Sequence, residues 1–439
     1  MMGLDIFNKE TFIKSEISKI FRGVVLYFSL FIFHLKKVVI FSFSLFIFHL
    51  THAQQLESYI QEGWDNNSNI QSFELRYVVA KEKIEEVNTI PNTQLSVGYF
   101  VSEPETRTGA QRAKFSIQQK LPWFGAITAR ENYSTAMAET EYVDIVIVKR
   151  KLALSISETY YKLFAIQSKQ KILEDNMLLL QTYEKLVLTS VEVGKASAVD
   201  VLKLQIRQNE LEQYKAVLKE SFLAEQIAFN ALLNRDSGKD IIVPDEINMP
   251  LEDPITNTES LQLNPELLKY DKIYESIKQS ELLNRKEKSP QIGFGLDYIP
   301  VSERNDVAIH DNGKDIIMPM VSFSIPIFNK RHDSRTRQNE LRQQEITAQK
   351  EERLNTMETI LGKAVSYRNT ARIKYNTQKK NLKQAKNAEE ILIKSYETGT
   401  IDFNDVLDIQ ELQLKFQLNQ IESIQLYYTQ AAMINYLTN

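Results

Sequence analysis

Three aspartates in this 439-residue chain recur in a fixed relation to glycine: Asp200 follows Gly194 by six residues, Asp405 follows Gly399 by six, and Asp408 lies three further on. Two carboxylates three apart fall near one face of a helix, so Asp405 and Asp408 could present a paired negative charge that draws cations. Helix capping is the plainer chemistry for Asp200 and Asp405. Ser197-x-x-Asp200 and Asp402-x-x-Asp405 have the spacing of an N-cap residue and an acid at the third helical position, worth about 1 kcal/mol. Nothing in the sequence assembles a catalytic centre. It holds no cysteine, no H-E-x-x-H, no G-x-S-x-G and no Gly-rich phosphate loop. Without cysteine there are no disulfides and no thiolate zinc sites. His310, in a polar loop, and His332, beside Lys330 and Arg331 at the start of a helix, are expected to be solvated. Neither enzymatic activity, nor a cofactor, nor a metal site is expected.

The elements that place the aspartates are long helices joined by tight turns. Gly194 and Gly399 suit the left-handed residue just past a helix end. From Ala126 to Val193 there is neither Gly nor Pro, and Leu152, Ile156, Leu163, Ile166, Leu173, Met177, Leu180, Val187 and Val191 step at coiled-coil spacing. The stretch from Ile327 to Thr398 is its counterpart, interrupted at Gly362. The turns themselves are copies: VGKASAVDVLKLQ (Val193–Gln205) aligns with TGTIDFNDVLDIQ (Thr398–Gln410). Leu121-Pro122-Trp123-Phe124 likewise matches Ile325-Pro326-Ile327-Phe328. The mature chain is therefore written twice, over residues 54–234 and 260–439, with a linker at 235–259 that holds Gly238, Pro244, Pro250 and Pro254.

Each repeat opens with a helix (72–88 and 266–286) followed by two alternating strands. Leu95, Val97 and Tyr99 oppose Gln94, Ser96 and Gly98; Phe115 and Ile117 oppose Lys114, Ser116 and Gln118. Ile292, Phe294, Leu296 and Tyr298 oppose Gly293, Gly295 and Asp297, and Val321, Phe323 and Ile325 oppose Ser322 and Ser324. This period-2 pattern fits a membrane barrel with its apolar face outward, or a soluble sheet packed on one face. Four strands cannot close a barrel, so in lipid several chains would have to share one. Residues 1–53 read as an export segment. Lys36-Lys37 precede the apolar run Val38–Leu50, with cleavage expected after Ala53. These residues carry six Lys/Arg and three Asp/Glu against a formal total of −4. The remaining chain is mildly acidic, and its charge gives no reason to expect nucleic acid.

The doubled helix–strands–long helix–turn–helix plan, the Pro-aromatic-Phe element and the G-x5-D-V-L turn together resemble the TolC family of outer-membrane efflux proteins. The resemblance spans essentially the whole mature chain. It implies a mostly α fold with a membrane β element: helical hairpins forming an α-barrel, and four strands contributing to a trimeric β-barrel. It further implies a homotrimer in the outer-membrane lipid with its tunnel in the periplasm, docked to a periplasmic adaptor and an inner-membrane pump. Matched by position from the turn glycines, Tyr396, Asp405, Asp408 and Asp200 fall on periplasmic gate positions. Where the family carries a gate arginine two residues past the glycine, this chain has Ile401, which departs from a salt-bridged gate. A periplasmic adaptor or coiled-coil scaffold is the alternative reading. Such a protein would carry one hairpin flanked by β domains, whereas this chain has two hairpins and no C-terminal β domain.

Overall fold

The structure is a computed structural model that describes residues 55–194, 196–255, 258–306, 308–326 and 330–438. The expected export segment and the expected cleavage after Ala53 lie outside the described residues, as do Ile327 and Phe328. The absence of Gly and Pro between Ala126 and Val193 is realised as one unbroken helix. In chain order the helices are α1 (55–66), α2 (Ser68–Val87), α3 (Ala126–Glu192), α4 (Ala198–Leu232), α5 (Pro265–Glu287), α6 (Arg331–Glu397) and α7 (Phe403–Thr438). Both α3 and α6 have 67 residues, so each is about 100 Å long at 1.5 Å per residue. Helix α6 passes straight through Gly362, the expected interruption. The openings of α2 and α5 fall earlier than the apolar pattern suggested, because asparagine caps set them. Asn67 accepts the Asn69 and Ile70 amides, and Asn264 accepts the Glu266 amide with Pro265 at the first helical position.

The strands are β1 (Gln94–Tyr99), β2 (Glu105–Thr106), β3 (Gly109–Ala110), β4 (Ala113–Leu121), β5 (Gln291–Ile299) and β6 (Ile316–Ser324). Strands β2 and β3 form a small ribbon in the loop after β1, and the other four make an antiparallel sheet in the order β1-β4-β5-β6. The register aligns the alternation across the strands. Leu95, Ile117, Leu296 and Pro319 make one row, and Val97, Phe115, Tyr298 and Ile317 the next. All of these side chains are exposed. The intervening row, Ser96, Ser116, Asp297 and Met318, points to the other face, where Lys114 pairs with the buried Asp297. Both β1 and β6 end the sheet with an unpaired edge.

The helices form a layer whose margins continue those sheet edges. Nearer the sheet, α3 lies between α2 and α5, and α5 meets α6; towards the turns the order is α4, α3, α7, α6. One margin is therefore α4, α2 and β1, and the other is α6 and β6. An apolar cluster of Tyr59, Ile156, Tyr160, Phe164, Phe229 and Leu233 fixes the middle of the layer. A second cluster, with Leu173, Leu180, Val187, Leu204, Leu211 and Phe403, fixes the end bearing the turns. Among the described residues no helix is long and apolar enough to cross a membrane.

The linker is a strap rather than a free tether. Ile241 and Val243 enter the middle cluster, and the Tyr59 hydroxyl accepts the Ile242 amide at 2.9 Å. At its far end Asp253 receives the Arg372 guanidinium and the Tyr427 hydroxyl, the latter at 2.8 Å. The hydrogen bond from Arg372 holds the Asp253 carboxyl below the usual carboxylate range. A carboxyl whose pKa is depressed on folding stabilises fully above its unfolded value, about 3.9, and loses that contribution as pH falls through the folded value. Amide hydrogen exchange around Asp253, corrected for intrinsic rates, should therefore show protection at pH 5 that disappears at the acid end. Asp253→Asn should lower protection already at pH 5 and flatten the profile. A profile that Asp253→Asn leaves unchanged would show that this carboxylate does not anchor the strap.

Candidate functional site

The end of the helical layer bearing the two turns gathers Asp200, Tyr396, Asp405 and Asp408 with the turn glycines Gly194 and Gly399. Gly194 and Gly399 both adopt the left-handed conformation, with φ of 71° and 76°. The Gly194 amide bonds to the Val191 carbonyl, and the Gly399 amide to Tyr396 O, each at 2.9 Å. The Thr400 amide then reaches Ser395 O at 3.0 Å, completing a Schellman closure. In both turns the glycine permits the reversal that starts the next helix. The two turns lie level with each other. Lys203 Nζ on α4 donates to Asn404 Oδ1 on α7 at 2.7 Å, and Arg207 Nη2 lies 3.4 Å from Glu411 Oε1.

The aspartates divide by role. Asp200 closes a capping box: its Oδ2 accepts the Ser197 amide at 3.3 Å, while Ser197 Oγ accepts the Val199 amide at 3.2 Å. Asp405 and Asp408, in the first two turns of α7, are both exposed. The Asp405 amide bonds to the Asp402 carbonyl at 3.3 Å, and the residue is exposed within the protomer. Tyr396 is placed differently: it is buried, its ring crossing Phe403 edge-on at 5.1 Å. Phe403 in turn meets Tyr183 edge-on at 6.0 Å, and the Tyr183 hydroxyl donates to Glu389. Ile401, where a gate arginine was the family pattern, is half-buried against the same apolar cluster. The structure thus sets Tyr396 and Ile401 in the packing of the turn and the α7 aspartates on its surface.

One expectation is corrected. His332 is buried, not solvated. Its Nδ1 lies 2.9 Å from Asn284 Oδ1, and Asn284 Nδ2 donates to the His332 carbonyl at 2.8 Å and to Thr336 Oγ1 at 3.1 Å. Helix α5 covers the first turn of α6 there, and the asparagine supplies the hydrogen bonds that a buried imidazole requires. His310 is exposed.

Sequence reading also missed a seam of buried amides between the two hairpins. Gln410 Nε2 donates to Asn176 Oδ1 at 3.0 Å, and Asn176 Nδ2 donates to Gln417 Oε1 at 3.0 Å. The signal was available: Asn176 stands at core spacing between Leu173 and Leu180. Polar groups at such positions fix register at some cost in stability.

Solved structures share this fold. The chain superposes on CusC, described with reference to transmembrane channel formation, at a TM-score of 0.72 and 14% identity, covering 88% of this chain and 92% of that one. The outer membrane protein VceC of Vibrio cholerae gives 0.69 at 16% identity, covering 88% and 96%. The MtrE outer membrane channel of Neisseria gonorrhoeae, in its open state, gives 0.67 at 13% identity, covering 88% of each chain. No protein-family model matches the sequence, and no curated protein matches it. The fold is therefore the one seen in those outer-membrane channels, with long helical hairpins and an antiparallel sheet left open in the single chain.

Proposed function

We propose that this protein is an outer-membrane exit duct of a tripartite efflux or secretion system, passively conducting what a periplasmic adaptor and an inner-membrane pump deliver. The observation that carries the reading is the sheet. Its apolar rows lie exposed on one face and its polar rows on the other, and both edges are unpaired. In hydrocarbon an open edge leaves backbone groups without partners at several kcal/mol each. Pairing β6 of one copy with β1 of the next satisfies both edges, and the same rotation brings α6 against α4 and α2. Three copies then supply a twelve-stranded barrel continued by a twelve-helix tunnel, open to water along its axis. On this reading the protein catalyses nothing. Its work is to keep a path open through the membrane and to admit cargo at the turns, where Asp405 and Asp408 ring the entrance and Tyr396 and Asp200 hold its shape.

Fractionation and electrophysiology test the reading together. The exported protein should be recovered in the outer membrane as a heat-modifiable trimer and should form discrete conducting channels in a planar bilayer. A soluble periplasmic species without conductance would overturn the duct and favour an adaptor.

A further inference from the structure

The two margins of the helical layer carry complementary residues at matching heights, and this specifies how neighbouring copies register. The inference rests on the duct reading and goes beyond it by naming the contacts. On α4, Leu204, Leu211 and Leu218 face the protomer's own core. The opposite side exposes an apolar line, with Ile206 60% and Leu223 44% accessible. On α6, the side turned away from α7 exposes Ile373 and Ile391, at 67% and 65%. Between residues 359 and 388, α6 has eight Lys/Arg and no Asp or Glu. Lys380 and Lys383 in that stretch are exposed, as are Glu212 and Glu220 on α4. Among the described residues none of these four has an ion-pair partner within the protomer.

Because the turns are level, height can be counted from Ser197 up α4 and from Gly399 up α6. Asn209 and Asn387 are each twelve residues up; Glu212 is fifteen and Lys383 sixteen. At about 1.5 Å per residue these pairs are level to within about 1.5 Å. Glu220 and Lys380, at twenty-three and nineteen, differ by about 6 Å, roughly one turn and within reach of two long side chains. Ile206 meets Ile391, and Leu223 meets Ile373, by the same count. The sides agree as well. Gln226, two heptads above Glu212, donates to the Gly238 and Lys239 carbonyls of the strap. Arg372, on the line that continues through Lys379 and Lys386 beside Lys383, donates to Asp253 of the strap. Glu212 and Lys383 therefore both lie on the strap side of the seam.

We infer that α4 of each copy packs antiparallel against α6 of the next, with Glu212 paired to Lys383, Glu220 to Lys380, and Asn209 level with Asn387. Lys380 and Lys383 of the basic stretch thus find counter-charges on the neighbouring copy. The absence of cysteine makes the test clean. In the full-length protein, Asn209→Cys with Asn387→Cys should oxidise into a covalent ladder ending at the closed ring. Asn209→Cys with Asn376→Cys, displaced by eleven residues or about 16 Å, should not. Glu212→Lys or Lys383→Glu alone should lower the temperature at which the ring dissociates in detergent, and the double reversal should restore it. Cross-linking through Asn376 in place of Asn387, or no rescue by the reversal, would overturn the register. Rings that form while neither pair links would refute the α4–α6 seam and leave the duct intact. A wild-type chain that never forms a closed oligomer would overturn the seam and the duct reading together.

Discussion

Val97→Arg should remove assembled protein from the outer membrane, whereas Ser96→Arg, one residue away, should leave it at wild-type level. Both side chains sit on β1 and differ only in the face they take. Val97 is 72% exposed in the apolar row with Phe115, Tyr298 and Ile317. Ser96 shares the opposite face with Ser116 and Asp297. A guanidinium held in hydrocarbon near the bilayer midplane costs about 2–4 kcal/mol, and a symmetric barrel repeats that cost in every copy. On the water-filled side it costs little. The measurement is the amount of heat-modifiable oligomer in outer-membrane fractions, with the total exported chain as reference. Equal assembly of the two variants, or loss of Ser96→Arg alone, would mean that the faces of the sheet have been assigned the wrong way round or that the sheet is not in lipid.

The second large effect is expected at the turns. Asp405→Asn with Asp408→Asn keeps side-chain shape and hydrogen-bonding capacity while removing two charges per chain. Carboxylate rings concentrate cations, and both residues are exposed. Planar-bilayer recordings should show block by multivalent cations from the turn side in the wild type, with most of that block and of the cation preference lost in the double variant. Asp200 provides the contrast. Its carboxylate is engaged in the Ser197 capping box, so Asp200→Asn should lower stability by about 1 kcal/mol and leave ion block unchanged. Ile401→Arg would add a cation beside the α7 aspartates and should lower resting conductance. Unchanged block in the Asp405/Asp408 variant would take these residues out of the conduction path.

Much of this architecture was legible because it rests on local rules. Freedom from Gly and Pro set α3 to within a residue of its expected end, and alternation identified the four strands and their faces. The repeated glycine and capping spacing located both turns. What escaped was fixed by partners distant in sequence. His332 reads as a surface residue among Lys330 and Arg331, and only Asn284, brought over it by α5, makes its burial tolerable. Tyr396 carries no sign that Phe403 will cover it. The β2–β3 ribbon is two residue pairs long, too short for any periodicity to show. The strap looked like a plain Gly- and Pro-containing connector, because its anchors, Arg372 and Tyr427, lie more than a hundred residues downstream.

The pairing of β4 with β5 also governs when the sheet can begin to form. Phe115 lies opposite Tyr298 and Leu121 opposite Ile292, so the centre of the sheet joins the two repeats and closes a loop containing α3, α4, the strap and α5. Contacts so far apart in sequence form slowly, because the entropy of closing the loop is lost before the contact rewards it. On the duct reading the chain is exported, and as it emerges the first repeat can fold its hairpin but has only β1 and β4 to offer a membrane. A two-stranded ribbon is marginal by itself. Helix formation should thus run ahead of sheet formation, and bilayer insertion should wait until β5 and β6 have been delivered. The late step then depends on copies meeting, so its rate should rise with protein concentration while the rate of helix formation does not.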